Sequence, residues 1–172
     1  MEIKDLEEKY PGFLKKKPSG DEAVGWIAVR TALELCFPKA SSLSGRVRPI
    51  LDRVMPELSG TLLDVGCYGG WLYPLVKEKV TYTGIDVYPE AVKVANSLFG
   101  ERFKVCSFSD YKEQHDIVWA TQLHPEVSVP KHFEKLKSLS RKMLILTYPG
   151  AETVSGGEEF SINNLTVSIY RW

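Results

Sequence analysis

The sequence predicts an α/β fold: a doubly wound, mostly parallel sheet that ends in an antiparallel β-hairpin and follows an N-terminal helical extension. Three observations lead to it. From Thr61 onward the short apolar runs LLDVG, VTYTGID, FKVCSF, DIVWA and KMLILTY alternate with helix-like segments, and each run is too short and too rich in β-branched or aromatic residues for an independent helix. The first run passes into a cluster of glycines, Gly66, Gly69 and Gly70, as a strand-to-helix turn would. The last two runs, Phe160 to Ile162 and Leu165 to Ile169, alternate apolar with polar residues around Asn163 and Asn164, which tolerate positive φ and so mark a hairpin.

The elements follow in order. Pro11, Gly12, Lys15 to Lys17 and Pro18 interrupt helix and predict a loose or docked arm. Ser19 and Glu22 form a capping box for a helix from about Gly20 to Cys36. After the turn-rich stretch from Pro38 to Gly45, the three- and four-residue spacing of Val47, Ile50, Leu51, Val54, Met55 and Leu58 predicts a second helix on the sheet's edge or over its binding cleft. Pro74 falls in the first turn of a helix that starts near Gly70, Pro89 opens the next, and Gly100 ends it. A strand is expected from Phe103 to Phe108. Ser128 and Pro130 open a further helix with Val129, Phe133, Leu136 and Leu139 facing inward. We therefore divide the chain into an arm with helices capping the cleft, residues 1–58, and one compact unit, residues 59–172.

Composition narrows the function classes. A chain of 172 residues buries one core, and 22 basic residues against 22 acidic give its surface no bulk attraction to nucleic acid or membrane. Lys15, Lys16, Lys17, Arg46, Arg48 and Arg53 are the residues of a possible basic patch, but they lack the interleaved aromatics of single-strand binders and are read as solvated faces. Cys36, Cys67 and Cys106 lie far apart and form no Cys-x-x-Cys pair, so neither a disulfide framework nor a metal site is expected and a reducing cytoplasm is the simplest location. No apolar run approaches the roughly 18 residues that a membrane span requires, so a soluble protein without a membrane partner is expected. Trp26 and Trp71 are read as core or cleft-wall residues.

The chemistry concentrates where strands end. Asp64, Gly66, Cys67, Tyr68 and Gly70 close the first strand, and glycines there let the backbone turn sharply and approach a ligand. Asp86 ends the second strand about twenty residues after Gly66, where a carboxylate can accept from both hydroxyls of a ribose or can serve as a helix N-cap before Pro89. Ser109 and Asp110 follow the third strand, where a carboxylate can accept from an exocyclic amine. Open α/β sheets bind ligands at this edge, so the three sites converge on one crevice.

From Thr61 to about Pro149, and through the hairpin beyond, the sequence resembles the class I (Rossmann-like) S-adenosylmethionine-dependent methyltransferases. That family's first motif reads Asp-x-Gly-x-Gly-x-Gly, an acidic residue ends its second strand, and an Asp follows its third. The resemblance implies S-adenosylmethionine as cofactor, with Asp64, Gly66, Cys67, Tyr68 and Gly70 around it, Asp86 and Val87 at the ribose, Ser109 and Asp110 at the adenine, and Thr121 nearby. Tyr68 departs from the pattern, standing where the middle glycine usually lies. A Tyr there is expected to keep an ordinary backbone φ and to place a ring beside the cofactor, giving a differently shaped loop or reduced affinity. The first sixty residues match nothing in the family.

The terminal hairpin favours S-adenosylmethionine over a nicotinamide cofactor, whose domains usually continue in strand-helix units. In this family the segment after strand four faces the methyl group, which makes His124 a candidate general base and Gln122 a substrate residue, with Tyr148 lining the acceptor pocket. A histidine before proline serves equally well as a surface loop residue. No Asn/Asp-Pro-Pro-Tyr/Phe motif follows strand four, and the Lys-Asp-Lys-Glu tetrad of ribose methylases does not map, so a small-molecule acceptor is favoured over nucleic acid. The rival readings are a non-catalytic cofactor- or partner-binding module on the same fold, and a nicotinamide-dependent oxidoreductase.

Overall fold

The computed structural model describes residues 25, 27–28, 30–31, 43–121, 129–149, 156–162 and 165–172, and within them each apolar run predicted as a strand forms one. The strands are β1 (Thr61–Val65), β2 (Thr81–Asp86), β3 (Phe103–Val105), β4 (His115–Ala120), β5 (Ser140–Pro149), β6 (Glu158–Ile162) and β7 (Leu165–Arg171). The helices are α1 (Leu43–Val54), α2 (Tyr73–Val76), α3 (Pro89–Phe99) and α4 (Val129–Ser138), preceded by helical residues at 25, 27, 28, 30 and 31. The seven strands lie in the order β3-β2-β1-β4-β5-β7-β6. Pairings among β1 to β5 are parallel, and β7 runs antiparallel to both β5 and β6. Ile162 stands opposite Leu165, and the expected turn residues Asn163 and Asn164 lie outside the described residues.

The central strands read as continuous apolar runs because both of their faces are covered. Leu62, Ile117, Trp119, Met143 and Ile145 meet Val47, Ile50, Leu51 and Val54 of α1 on one face. Leu63, Val118, Leu144 and Leu146 meet Phe133, Leu136 and Leu139 on the other, α4 side. The α1 stripe thus supplies a helix layer against the sheet face, where it was expected at the edge or over the cleft, because its apolar residues are buried with those of the central strands. Helix α1 also begins at Leu43, inside the stretch read as turn. Trp71 is 7% exposed within the α1-side core. Trp26 lies outside the described residues.

Two helices differ in how well local signals placed them. Helix α3 begins at Pro89 and is capped by Gly100 at φ +86°, as expected. Helix α2 is a single turn starting at Tyr73, with Pro74 in that turn, and not a helix from Gly70, because Gly70 has φ +79° and cannot be helical. Strand β3 stops at Val105, short of the expected Phe108. Its partner β2 ends at Asp86, whose carbonyl takes the Cys106 amide as the last rung, and the chain then turns on Ser107 O, which accepts from the Asp110 and Tyr111 amides.

Of the candidate basic patch, Arg48 is exposed, whereas Arg53 pairs with Glu158 and covers the Phe160 ring, so it joins α1 to the hairpin and does not form part of an open basic surface. Lys15 to Lys17 and the Arg46 side chain lie outside the described residues. Among the described residues no helix is long and apolar enough to cross a membrane, and no group of three or more His, Cys, Asp or Glu is placed to hold a metal ion.

Candidate functional site

Parallel strands β1 to β4 deliver their carboxyl ends to one edge, and the connections there carry most of the predicted site residues. After β1 the backbone takes positive φ at alternate residues: +75° at Gly66, +47° at Tyr68 and +79° at Gly70. Tyr68 is the sole non-glycine residue of this kind among those described. The expectation that Tyr68 would keep an ordinary φ is therefore corrected, and the loop retains the alternation that three glycines would give it. A side chain in this region costs about 1–2 kcal/mol. Two contacts offset the strain. The Tyr68 amide donates to Asp86 Oδ2 at 2.8 Å, and its half-buried ring packs beside Ala28 and Tyr88 against Ile27, Ala91 and Val94. The Gly66 and Cys67 amides both donate to Ile85 O, at 2.9 and 3.1 Å, which pins the start of the loop to the end of β2.

Asp86 is the hub. Its Oδ1 accepts from the Tyr88 amide at 2.9 Å, so the carboxylate ties the β1 loop to the β2 connection in the manner of a turn and does not cap α3, whose N-cap position is Tyr88. Each oxygen keeps a further acceptor position, which two hydroxyls can fill. Val87 beside it is 69% exposed, an apolar side chain open to solvent just after β2. Ser109 and Asp110 are exposed in the turn after β3, where the Ser109 amide donates to Ser107 Oγ. Phe108 in the same turn meets the His132 ring of α4 edge to face, with centroids 5.2 Å apart. Thr121, after β4, is 6% exposed, and its hydroxyl accepts from Trp119 Nε1 at 2.7 Å, so that lone pair is committed to the protein.

Asp64 lies deeper. Its carboxylate is buried and accepts from Tyr82 Oη at 2.5 Å. Burial pushes its pKa up to about 7, the Tyr82 bond opposes that rise, and the charge of Asp86 adds to it. Cys67 is buried beside it, with burial raising its thiol pKa well above the usual range. Phe103 fills the space left by two glycines: a Cβ on Gly70 would stand 2.7 Å from its ring, and one on Gly84 2.5 Å.

The structure thus brings Asp64, Gly66, Cys67, Tyr68, Gly70, Asp86, Val87, Ser109, Asp110 and Thr121 to the carboxyl ends of β1 to β4. Gln122 and His124 lie outside the described residues. Tyr148 occupies the end of β5 opposite Thr166, its side chain outside the description. Sequence reasoning did not single out Tyr82, Phe108, His132 or Thr31. Tyr82 had a usable signal, because it lies on the strand that pairs with β1, two residues before the partner of Asp64. Thr31 had none, since its neighbour Gly69 is distant in the chain.

Strand order, the parallel core and the terminal antiparallel pair define the class I methyltransferase fold. Neither a family model nor a curated protein sequence matches the chain. Solved structures do. The chain is similar to the magnesium protoporphyrin IX methyltransferase of Synechocystis with bound S-adenosylmethionine, at 14% identity over 97% of this chain and 93% of that one, with a TM-score of 0.58. It is similar to an RNA methyltransferase from Salinibacter ruber in complex with S-adenosyl-L-homocysteine, at 16% identity over 72% and 90% of the two chains, with a TM-score of 0.58. An S-adenosylmethionine-dependent methyltransferase from Mesorhizobium loti matches at 19% identity over 60% of this chain and 54% of that one, with a TM-score of 0.51.

Proposed function

We propose that the chain is an S-adenosylmethionine-dependent methyltransferase of the cytoplasm acting on a small-molecule acceptor. The observation that carries this reading is the loop after β1. It keeps positive φ at all three alternate positions although Tyr68 replaces a glycine, and Asp86 braces it with acceptor positions to spare. Strained backbone of this kind clusters at ligand-binding sites, and here it lies beside a carboxylate with open acceptor positions. The similar structures that contain S-adenosylmethionine or its demethylated product support the same cofactor.

In this reading Asp86 accepts from the ribose hydroxyls, Val87 covers the adenine, and Asp110 with Ser109 receives its exocyclic amine. Gly66, Cys67, Tyr68 and Gly70 form the wall under the sulfur, and Asp64 and Thr121 shape it from behind. The bound cofactor supplies a methyl group already activated on a sulfonium sulfur, so the protein's work is to align the acceptor and exclude water. Where the acceptor must lose a proton, His124 takes it, with Gln122 and Tyr148 orienting the acceptor. The non-catalytic alternative rests on Tyr68 and on the lack of a recognisable acceptor motif, and the observed φ answers the first ground only.

Calorimetric titration with S-adenosylhomocysteine tests the reading. Saturable one-to-one binding is expected, weakened by about 1–3 kcal/mol in Asp86→Ala through loss of charge-assisted hydrogen bonds. Absence of saturable binding to the unaltered chain would overturn it.

A further inference from the structure

The N-terminal helical residues sit directly on the glycine loop. A Cβ built on Gly69 would stand 1.9 Å from Thr31 Oγ1 and 3.3 Å from an Ile27 methyl, so the contact exists because Gly69 has no side chain. Ile27 accounts for the docking itself: it is fully buried with Ala91 and Val94 of α3. Thr31 does not fit that account. It is 1% exposed, and its hydroxyl has no hydrogen-bond partner. A valine would fill the same volume without stranding a polar group in the interior.

The loop beneath it shows the same surplus of donors. The amides of Gly66, Cys67, Tyr68 and Gly70 are all bonded, whereas those of Gly69 and Trp71 have no partner among the described residues. The Thr31 oxygen lies against Gly69 without a hydrogen-bond partner, so its O–H is left to give. Donors without acceptors, gathered at one place, suit a group that only accepts, and a carboxylate is that group. Arg30 adds a positive field here, being close enough to favour the ionised form of the Tyr68 hydroxyl. Thr has two accessible χ1 rotamers in a helix, so the hydroxyl can turn to a ligand beside the loop without backbone movement.

We propose that Thr31 binds the carboxylate of the amino-acid end of S-adenosylmethionine, so that the N-terminal helical segment completes the cofactor site. The inference rests on the cofactor reading above. With the ribose at Asp86 and the adenine toward Val87 and Asp110, the remaining end of the cofactor lies along the loop, where Gly69 and Thr31 meet.

The test compares two ligands on three proteins: S-adenosylhomocysteine and 5′-methylthioadenosine, which shares the nucleoside but lacks the amino-acid end, titrated into the unaltered chain, Thr31→Val and Thr31→Ser. Thr31→Val is expected to weaken S-adenosylhomocysteine on the order of tenfold and to leave methylthioadenosine unchanged, while Thr31→Ser binds both as the unaltered chain does. Unliganded Thr31→Val should melt no lower than the unaltered chain, because it loses an unpartnered hydroxyl; a merely structural threonine would not combine intact stability with a loss confined to one ligand. Equal weakening of both ligands, or of neither, would overturn the role of Thr31 and leave the cofactor reading standing. Failure of the unaltered chain to bind either ligand would overturn both.

Discussion

At the amino edge of the sheet Asp116 accepts from the Thr61 amide at 2.9 Å and its hydroxyl at 3.1 Å, and lies 3.2 Å from Lys142 Nζ and 3.6 Å from Arg141 Nε. At the carboxyl edge Asp86 accepts from two backbone amides and meets no cation among the described residues, and Asp64 is buried with a single phenol. The consequences are opposite. The Thr61 amide, helped by Lys142 and Arg141, holds the Asp116 carboxyl down at about 2, whereas burial lifts Asp64 to about 7. At the amino edge the protein's own groups saturate the Asp116 carboxylate. The other keeps acceptor positions open, a strained tyrosine and an unpartnered threonine, all of which a ligand can relieve.

The largest effect that sharpens this contrast is steric. Gly70→Ala puts a Cβ at positive φ and 2.7 Å from the Phe103 ring, and should lower stability to urea by about 2–4 kcal/mol. Gly156→Ala, at φ +101° with nothing within 4 Å, should lose only about 1 kcal/mol. Equal losses would mean that the loop after β1 is no more tightly held than an open turn. Next come the two aspartates: Asp116→Ala should destabilise the fold by about 1–3 kcal/mol and leave the affinity for S-adenosylhomocysteine untouched, while Asp86→Ala should reduce both. A binding defect in Asp116→Ala would break the division between the edges.

Acidity separates the edges further. The folded pKa of Asp64 is raised, so its contribution to stability is complete below the unfolded value of about 3.9 and is lost as pH rises through about 7. His115, at the start of β4, is 6% exposed, with Nε2 3.0 Å from Tyr111 Oη and Nδ1 unpartnered. Burial holds its folded pKa below 6.5, so its contribution is present above that value and is lost as pH falls. Urea midpoints measured from pH 4 to 8 should therefore lose the fall between about pH 4 and 7 in Asp64→Asn and the decline below about 6.5 in His115→Gln, each proton accounting for at most about 1.4 kcal/mol per pH unit. An unchanged profile in either variant would show that its ionisation is not linked to folding. The smallest effect is expected at Tyr68→Gly, where relief of about 1–2 kcal/mol of strain opposes lost ring contacts and the flexibility of a glycine, giving a net change under about 1 kcal/mol with S-adenosylhomocysteine binding retained. Loss of that binding would make the tyrosine ring itself part of the site.

What was legible in the sequence follows the range over which each signal acts. Pro89 and Gly100 marked the ends of α3 because a missing N–H and a freely positive φ are properties of single residues. The central strands were legible because burial on both faces leaves an unbroken apolar run, and the carboxyl-edge residues because strand ends carry them whatever lies around. The same local reasoning failed at Tyr68, since its own preference for negative φ is overruled by Asp86, eighteen residues away, and by the ring's neighbours on other elements. It failed at Phe108, because the length of β3 is set by where β2 stops.

The alternation of strands and helices, the terminal hairpin and the gathering of Asp64, Asp86 and Asp110 at one edge were thus determined by the sequence alone, through backbone propensity and the period of burial. Only the tertiary structure decided which carboxylates are saturated and which are open, that α1 covers a sheet face, and that Thr31 meets Gly69. Those outcomes depend on distances between residues far apart in the chain, and such distances come into being only when the layers close on one another.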